Sequence, residues 1–171
     1  MTTTDLRLRP LRESDEAVLR DAQTVMAEDH FEFIFGLTLE ATLASVIART
    51  ERARSGVMLP PGRVPATFLL AEVGGEIVGR TSIRHRLNSF LFGYGGHIGY
   101  GVLPPFRRRG YATEILRQSL VIARSVGVGR ALVSCEENNE ASARTIERCG
   151  GVRDPERVAG QPESIRRYWI D

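Results

Sequence analysis

Residues 98–113, IGYGVLPPFRRRGYAT, pass from a short strand through two prolines and three arginines into a helix. The first five residues are small or apolar, as in a buried strand, and the two prolines end that strand. From about Arg109 to Gly127, apolar side chains recur at helical spacing. The segment therefore predicts a strand–turn–helix unit whose turn is rich in arginine.

The first turn of that helix is a candidate anion-binding site. Backbone N–H groups at a helix N-terminus have no acceptor inside the helix, and the helix dipole favours negative charge there. Gly110 and Ala112 are small, so phosphate oxygens can approach these amides. The turn is not a Walker A loop, since the chain has no lysine, and it is not a GxGxxG fingerprint. A strand-to-helix corner with solvated arginines is the alternative interpretation.

The rest of the chain predicts further strands and helices. The predicted strands are apolar or alternating runs that glycine or proline bounds: 6–11, Ala66–Val73, Glu76–Arg84, 97–103, 131–135 and 164–170. The predicted helices carry apolar residues at helical spacing: one capped by Ser14, one capped by Thr38 and ended by Gly56, one over 109–127, and one over 139–149. This order predicts one mixed α/β domain over residues 1–171. Its mostly antiparallel sheet would have six to seven strands, flanked by about four helices.

Composition excludes several classes of protein. A net charge of +2, with no basic stretch interleaved with aromatic residues, argues against a nucleic-acid partner. No apolar run approaches the roughly 20 residues that a membrane helix needs. Residues 1–5 carry no signal-peptide core, so we expect a cytoplasmic protein without a membrane partner. Cys135 and Cys149 have no metal-ligand spacing, and we expect no metal.

Two motifs resemble those of the Gcn5-related N-acetyltransferases (GNAT). Motif A of that family is Arg/Gln-x-x-Gly-x-Gly/Ala, and its positions are filled here by Arg107, Gly110 and Ala112. The stretch CEENNEASARTIERCGG, residues 135–151, resembles motif B, whose positions are filled by Asn139, Ser142, Glu147 and Gly150. With the order of elements, the resemblance covers residues 6–170. Within the family it is closest to a branch of predicted bacterial acetyltransferases, and it implies the GNAT fold.

The resemblance implies acetyl-coenzyme A as the co-substrate. The backbone amides of the motif A turn would hold its pyrophosphate, and the strand before the turn would pair with its pantetheine arm. A backbone N–H near Val102 would polarise the thioester carbonyl. The residues implied in binding are Tyr100, Gly101, Val102, Arg107, Arg108, Arg109, Gly110, Tyr111, Ala112, Thr113 and Asn139. For Asn139, a helix N-cap is an equally good interpretation.

Two side chains are candidates for proton transfer. An amine acceptor must lose a proton, and His97 at the start of the fourth strand is the candidate base, with anchoring of that strand as the alternative. His30 and His85 are weaker candidates. Many relatives donate a proton to the leaving thiolate from a tyrosine at the position of Ile146. Ser142 is therefore the candidate donor here, and three tyrosines remain as alternatives: Tyr100, Tyr111 and Tyr168.

These inferences predict an N-acetyltransferase that moves an acetyl group to an amine by direct attack. A non-catalytic acyl-CoA sensor on the same fold is the alternative. The sequence leaves open whether the acceptor is a small molecule, a peptide N-terminus or a protein lysine, although the resemblance places its groove among residues 30–37, 84–94 and 160–169. Homodimers are common in the family, and we include one as an expectation. Candidate groove residues are Glu28, Asp29, Phe31, Glu32, Phe33 and Phe35. The alternatives are a core cluster for the three aromatic residues and a solvated helix end for the three acidic ones.

Overall fold

Seven strands form one sheet in the computed structural model, which describes residues 5–158 and 161–171. The strands are β1 (Arg7–Arg9), β2 (Ala66–Val73), β3 (Glu76–Arg84), β4 (Ile98–Val102), β5 (Ala131–Glu136), β6 (Val152–Arg153) and β7 (Ile165–Ile170). Their spatial order is β1-β2-β3-β4-β5-β7-β6. Only β4 and β5 run parallel, so the sheet is mixed and mostly antiparallel, as predicted.

Four α-helices flank the sheet: α1 (Glu16–Ala27), α2 (Leu43–Ser55), α3 (Tyr111–Ser125) and α4 (Glu140–Arg148). Both predicted N-caps of the first two helices are wrong. Ser14 lies inside a short 3-10 turn, where the Asp15 carboxylate accepts from the Arg12 N–H instead. Thr38 accepts from Ala41 in a preceding turn, and Thr42 caps α2.

The helices cover opposite faces of the sheet because side chains alternate along each strand. On β3, Arg80 contacts Phe31 before α2, whereas Thr81 is hydrogen-bonded to Ser119 on α3. The core on the α1–α2 face includes Leu19, Met26, Phe33, Leu43, Val46, Phe68 and Leu70. The core on the α3–α4 face includes Ile98, Leu116, Leu120, Val133, Ile146 and Tyr168.

The two parallel strands separate soon after they meet. Strands β4 and β5 share one register pair, Ile98 with Val133, although β4 continues to Val102 and β5 to Glu136. Over the same length, β4 stays paired with β3 from Ile98 to Val102. One side of β4 is therefore left without a strand partner toward its C-terminal end. We call this space the β4–β5 gap.

Three further details differ from the sequence-based expectation. The helix predicted from about Arg109 begins at Tyr111, because Gly110 adopts a left-handed conformation just before it. The glycine-rich connection contains a π-helical turn, Leu91–Gly95. The short edge strand β6 has only two residues, too few for an alternating pattern to show.

Candidate active site

The turn between β4 and α3 is held open by its backbone conformation. Strand β4 ends at Val102, a 3-10 turn follows over Pro104–Phe106, and two residues with positive φ come next: Arg108 at +61° and Gly110 at +82°. A glycine tolerates this conformation at position 110 without a Cβ penalty. The chain thereby enters α3 with no side chain over the first helical amides.

The backbone amides of this turn lack protein partners. No side chain caps α3, and its first backbone hydrogen bond runs from the Glu114 N–H to the Gly110 carbonyl. Within residues 5–158 and 161–171, no group accepts from the N–H groups of residues 108–113. Unpaired amides at the positive end of a helix, here one of 15 residues, are groups that can bind an anion. They lie in the turn for which the motif predicts a pyrophosphate site.

The three arginines of the turn take different positions. The Arg107 side chain turns back, where its Nε donates to the Val102 carbonyl at 3.1 Å and one Nη donates to Asp29 at 2.5 Å. Arg107 therefore fixes the exit of β4 to the end of α1. Arg108 and Arg109 are exposed beside Gly110, and the Arg109 guanidinium lies 5.6 Å from the Phe106 ring. These two are free to approach a phosphate.

Tyr100 connects the β4–β5 gap to α4. Its hydroxyl lies 2.9 Å from the Ser142 hydroxyl, on the α3–α4 face of the sheet. Burial raises the pKa of Tyr100, so this phenol stays protonated at neutral pH. Asn139 caps α4, where its side chain accepts from the Ser142 N–H at 3.0 Å. The strand before motif A and the helix of motif B thus meet at a pair of hydroxyl groups.

The other tyrosines and Ile146 belong to the core. Tyr111 and Tyr168 are buried in separate hydrophobic clusters, and Ile146 is fully buried on the core side of α4. Tyr100 is thus the tyrosine that contacts Ser142. The position that carries a tyrosine in many relatives serves packing in this chain.

His97 is held at the point where β4 and β5 meet. Its backbone N–H donates to the Leu132 carbonyl at 2.6 Å, and its Nδ1 accepts from the Leu132 N–H at 2.9 Å. The neutral ring therefore carries its proton on Nε2. Burial, together with the charge of Arg84, lowers the pKa of His97, which keeps the ring neutral at pH 7. These contacts favour the anchoring role over the role of general base.

We expect an asparagine at position 97 to retain activity within about threefold, because its side-chain oxygen can still accept from Leu132. His97→Ala should instead lose about 1–3 kcal/mol of unfolding free energy, since the buried Leu132 N–H loses its acceptor. Denaturant unfolding and initial-rate assays would measure both effects. A 100-fold loss of kcat in a stable His97→Asn protein would contradict this expectation and identify the ring as the base.

The face of β4 opposite Tyr100 carries groups that sequence reasoning missed. Arg80 and Arg84 of β3 project there, four residues apart on one strand face. The available signal was the pair of arginines inside the apolar run EIVGRTSIR. Of the predicted aromatic residues, Phe31 and Phe35 lie 4.3 and 4.7 Å from the Arg80 guanidinium, whereas Phe33 is fully buried in the core.

The remaining candidates lie away from the gap or have other partners. His85 contacts the Thr67 hydroxyl at 2.8 Å, and His30 lies in the turn that ends α1. Asp29 is paired with Arg107. In the predicted groove segment 160–169, residue 160 lies outside the described residues.

In the described part of the chain, no three His, Cys, Asp or Glu side chains are grouped so as to bind a metal ion. None of the helices described here has the length and apolar character needed to span a membrane.

Comparisons with known proteins agree with this geometry. The sequence matches the family model described as acetyltransferase (GNAT) domain over residues 5–152. A search of curated proteins gives no match. The acetyltransferase from Agrobacterium tumefaciens str. C58 is 20% identical over 100% of this chain and 93% of that chain, with a TM-score of 0.69.

Two further structural relatives contain coenzyme A or acetyl-CoA. RimL, a ribosomal L7/L12 alpha-N-protein acetyltransferase in complex with coenzyme A, is 17% identical over 98% of this chain and 96% of that chain, with a TM-score of 0.67. YncA from Salmonella typhimurium, with its cofactor acetyl-CoA, is 17% identical over 97% and 92%, with a TM-score of 0.61.

The fold and the match to the family model define the class as acetyltransferase. The chain belongs to the GNAT family.

Proposed function

We propose that this protein transfers the acetyl group of acetyl-CoA to an amine by direct attack of the amine on the thioester. The observation that carries the proposal is the row of unpaired amides in residues 108–113, next to the unpaired side of β4. Together these offer a pyrophosphate site and a strand edge for the pantetheine amides. Relatives with coenzyme A or acetyl-CoA bound support the same co-substrate.

The Val102 N–H is the candidate donor to the thioester carbonyl. Leu103 donates its own N–H to Val78 of β3, so the N–H of the preceding residue in the extended strand faces the other way. That direction is the β4–β5 gap. A fixed backbone donor at such a carbonyl stabilises the negative charge that develops during attack, and the loss of one such donor costs about 10²–10³ in rate in another enzyme.

The hydroxyl pair of Tyr100 and Ser142 is the candidate group for the leaving thiolate. The raised pKa of Tyr100 keeps this phenol protonated, so it can act as a hydrogen-bond donor, and the Ser142 hydroxyl bonded to it is the candidate relay to the sulfur. Ser142 is exposed enough to reach solvent. The pair would stabilise the thiolate until a proton arrives from water.

Ser142→Ala is expected to lower kcat about 100-fold, the lower end of what a positioned proton donor contributes. The KM for acetyl-CoA should change less than threefold, because the hydroxyl acts on the leaving group. Release of free thiol, followed with a chromogenic disulfide, measures both constants. Ser125→Ala is the matched control, since that exposed hydroxyl bonds only within the end of α3. An unchanged kcat in Ser142→Ala would remove this role.

A panel of amines tests the proposed function itself. Purified protein with acetyl-CoA should release thiol with at least one of three acceptor kinds: small amines, peptides with a free N-terminus, or peptides with a lysine. The RimL relative acts on a protein α-amine, which makes the second kind the first to assay. Acetyl-CoA binding measured by calorimetry gives the independent readout.

The non-catalytic sensor is the second candidate function. The buried Ile146, which provides no hydroxyl at the position of the family tyrosine, favours it. Binding of acetyl-CoA without thiol release by any acceptor would support the sensor. A homodimer also remains a proposal, and sedimentation equilibrium would measure it.

A further inference from the structure

Two arginines of β3 converge on one glycine of β4. Arg80 donates from one Nη to the Gly99 carbonyl at 3.4 Å. A Cβ atom placed on Gly99 would lie 3.1 Å from an Nη of Arg84. The two guanidinium groups therefore both lie close to Gly99. We call Arg80, Arg84 and Gly99 the arginine corner.

Neither arginine has an acidic partner among the described residues. Arg80 is only 3% exposed, and its contacts are the carbonyls of Glu32 and Gly99 and three aromatic rings. Its Nε has no hydrogen-bond partner in the described chain. Arg84 is half-buried and donates to the Gly95 carbonyl at 3.3 Å. Burial lowers the pKa of Arg80 to about 9 and that of Arg84 to about 10.

Two other arginines, one buried and one partly buried, are paired with carboxylates. Arg167 is 2% exposed and pairs with Asp154 at 3.1 Å, and Arg9 pairs with both Asp15 and Glu72. A buried charge without a partner is costly, and two like charges placed together add to that cost. The arginine corner therefore differs from Arg167 and Arg9, whose charges are balanced by carboxylates. An anion that binds between the two guanidinium groups would remove the cost.

The corner and the hydroxyl pair lie on opposite faces of β4. Tyr100 and Ser142 occupy the α3–α4 face of β4, whereas Gly99 and Gly101 face the α1–α2 side. Gly99 and Arg84 are both partly exposed, so a ligand can reach the corner from solvent. If the thioester lies in the β4–β5 gap, an acceptor that approaches opposite Tyr100 passes the corner.

We propose that Arg80 and Arg84 bind a carboxylate of the acceptor, so that the substrate class is an amine whose molecule also carries a carboxylate. This inference rests on the proposed acetyl transfer. Guanidinium groups are planar and match the two oxygens of a carboxylate in bidentate hydrogen bonds. The carboxylate has two sources: the α-carboxylate of an amino acid, or an acidic side chain next to a peptide N-terminus.

Binding of acetylated product mimics tests the substrate class without turnover. The first pair of probes is N-acetylglycine and its amide, and the second is the dipeptide amide acetyl-Ser-Glu and its Gln counterpart. Calorimetry with and without saturating coenzyme A should show the acid of at least one pair binding at least tenfold more tightly than its neutral partner. The pair that responds identifies the source of the carboxylate.

Arg84→Gln is the deciding variant, because Arg80 is packed among aromatic rings and its replacement risks unfolding. The ratio of the affinities for the acid probe and its neutral partner should fall to about one in Arg84→Gln. It should stay at the wild-type value in Arg86→Gln, which changes an exposed arginine two residues away.

Equal binding of acid and neutral probes, no binding of either, or a ratio that survives Arg84→Gln would each overturn the inference. Thiol release without a carboxylate preference would refute only this inference. A preference without thiol release would refute only the proposed function.

Discussion

Replacing Ala112 with glutamate is expected to weaken acetyl-CoA binding at least about 100-fold, or about 2.7 kcal/mol, while the protein stays folded. The new carboxylate would stand beside the unpaired amides of residues 108–113, where the proposal places the pyrophosphate. It would compete for the same N–H groups and repel the phosphates. The measurement is calorimetric titration with acetyl-CoA.

The fold of this variant should not suffer. Position 112 lies in the first turn of α3, where an acidic side chain is favourable to the helix dipole. Ala112 is only partly buried against the cluster that contains Tyr111 and Ile115, so the melting temperature is expected to change by no more than about 2–4 °C, the shift that about 1 kcal/mol produces in a domain of this size. Val121→Glu is the matched control, because it adds the same charge to an exposed position of the same helix, away from the turn. Undiminished binding by Ala112→Glu would place the cofactor elsewhere and end the proposal.

Replacing Gly79 with alanine is expected to lower the free energy of unfolding by about 3 kcal/mol, the upper part of the usual cost of overpacking. A Cβ atom there would overlap the carbonyl oxygen of Gly101 and lie 3.0 Å from Ile115. The first obstacle is backbone in the central β3–β4 pair, so it cannot move aside cheaply. Urea denaturation measures the loss.

Gly129→Ala is the control for this variant. Gly129 is exposed, its backbone φ is not positive, and an added Cβ meets nothing within 4 Å. The free energy of unfolding of Gly129→Ala should therefore differ from that of the unmodified protein by less than about 0.5 kcal/mol. If Gly79→Ala were as stable as that control, β3 and β4 would not be packed as closely as the structure has them.

Local patterns were enough to predict most of the fold. The Gly74–Gly75 hairpin and the Gly56 helix end depend on residues near one another in the chain, and both are found as predicted. The existence of α3 is also found as predicted, although the helix is shorter than 109–127. The N-cap of α2 was misplaced because Thr38 and Thr42 are chemically alike. Which of them caps the helix depends on the packing of the loop before α2, and a local pattern carries no such information.

The candidate site was predictable only where its chemistry is local. The motif A turn and the Asn139 cap follow from neighbouring residues. By contrast, the β4–β5 gap and the contact between Tyr100 and Ser142 depend on segments that are distant in the sequence. Tyr100 and Ser142, for example, are 42 residues apart. Likewise, a local pattern cannot predict that Arg80 lacks a carboxylate partner among the described residues, because that depends on which distant segments pack around it.

The Arg107–Asp29 ion pair connects the cofactor turn with the segment that faces the acceptor. Arg107 belongs to the motif A turn, while Asp29 lies two residues before Phe31, which packs on Gly101 beside the arginine corner. An anion in the turn and an acceptor against Phe31 would therefore both act on one short segment after α1. Thermodynamic linkage requires that each ligand then change the affinity for the other by the same factor. A shift of acceptor affinity by coenzyme A, lost in Asp29→Asn, would be the signature of such coupling.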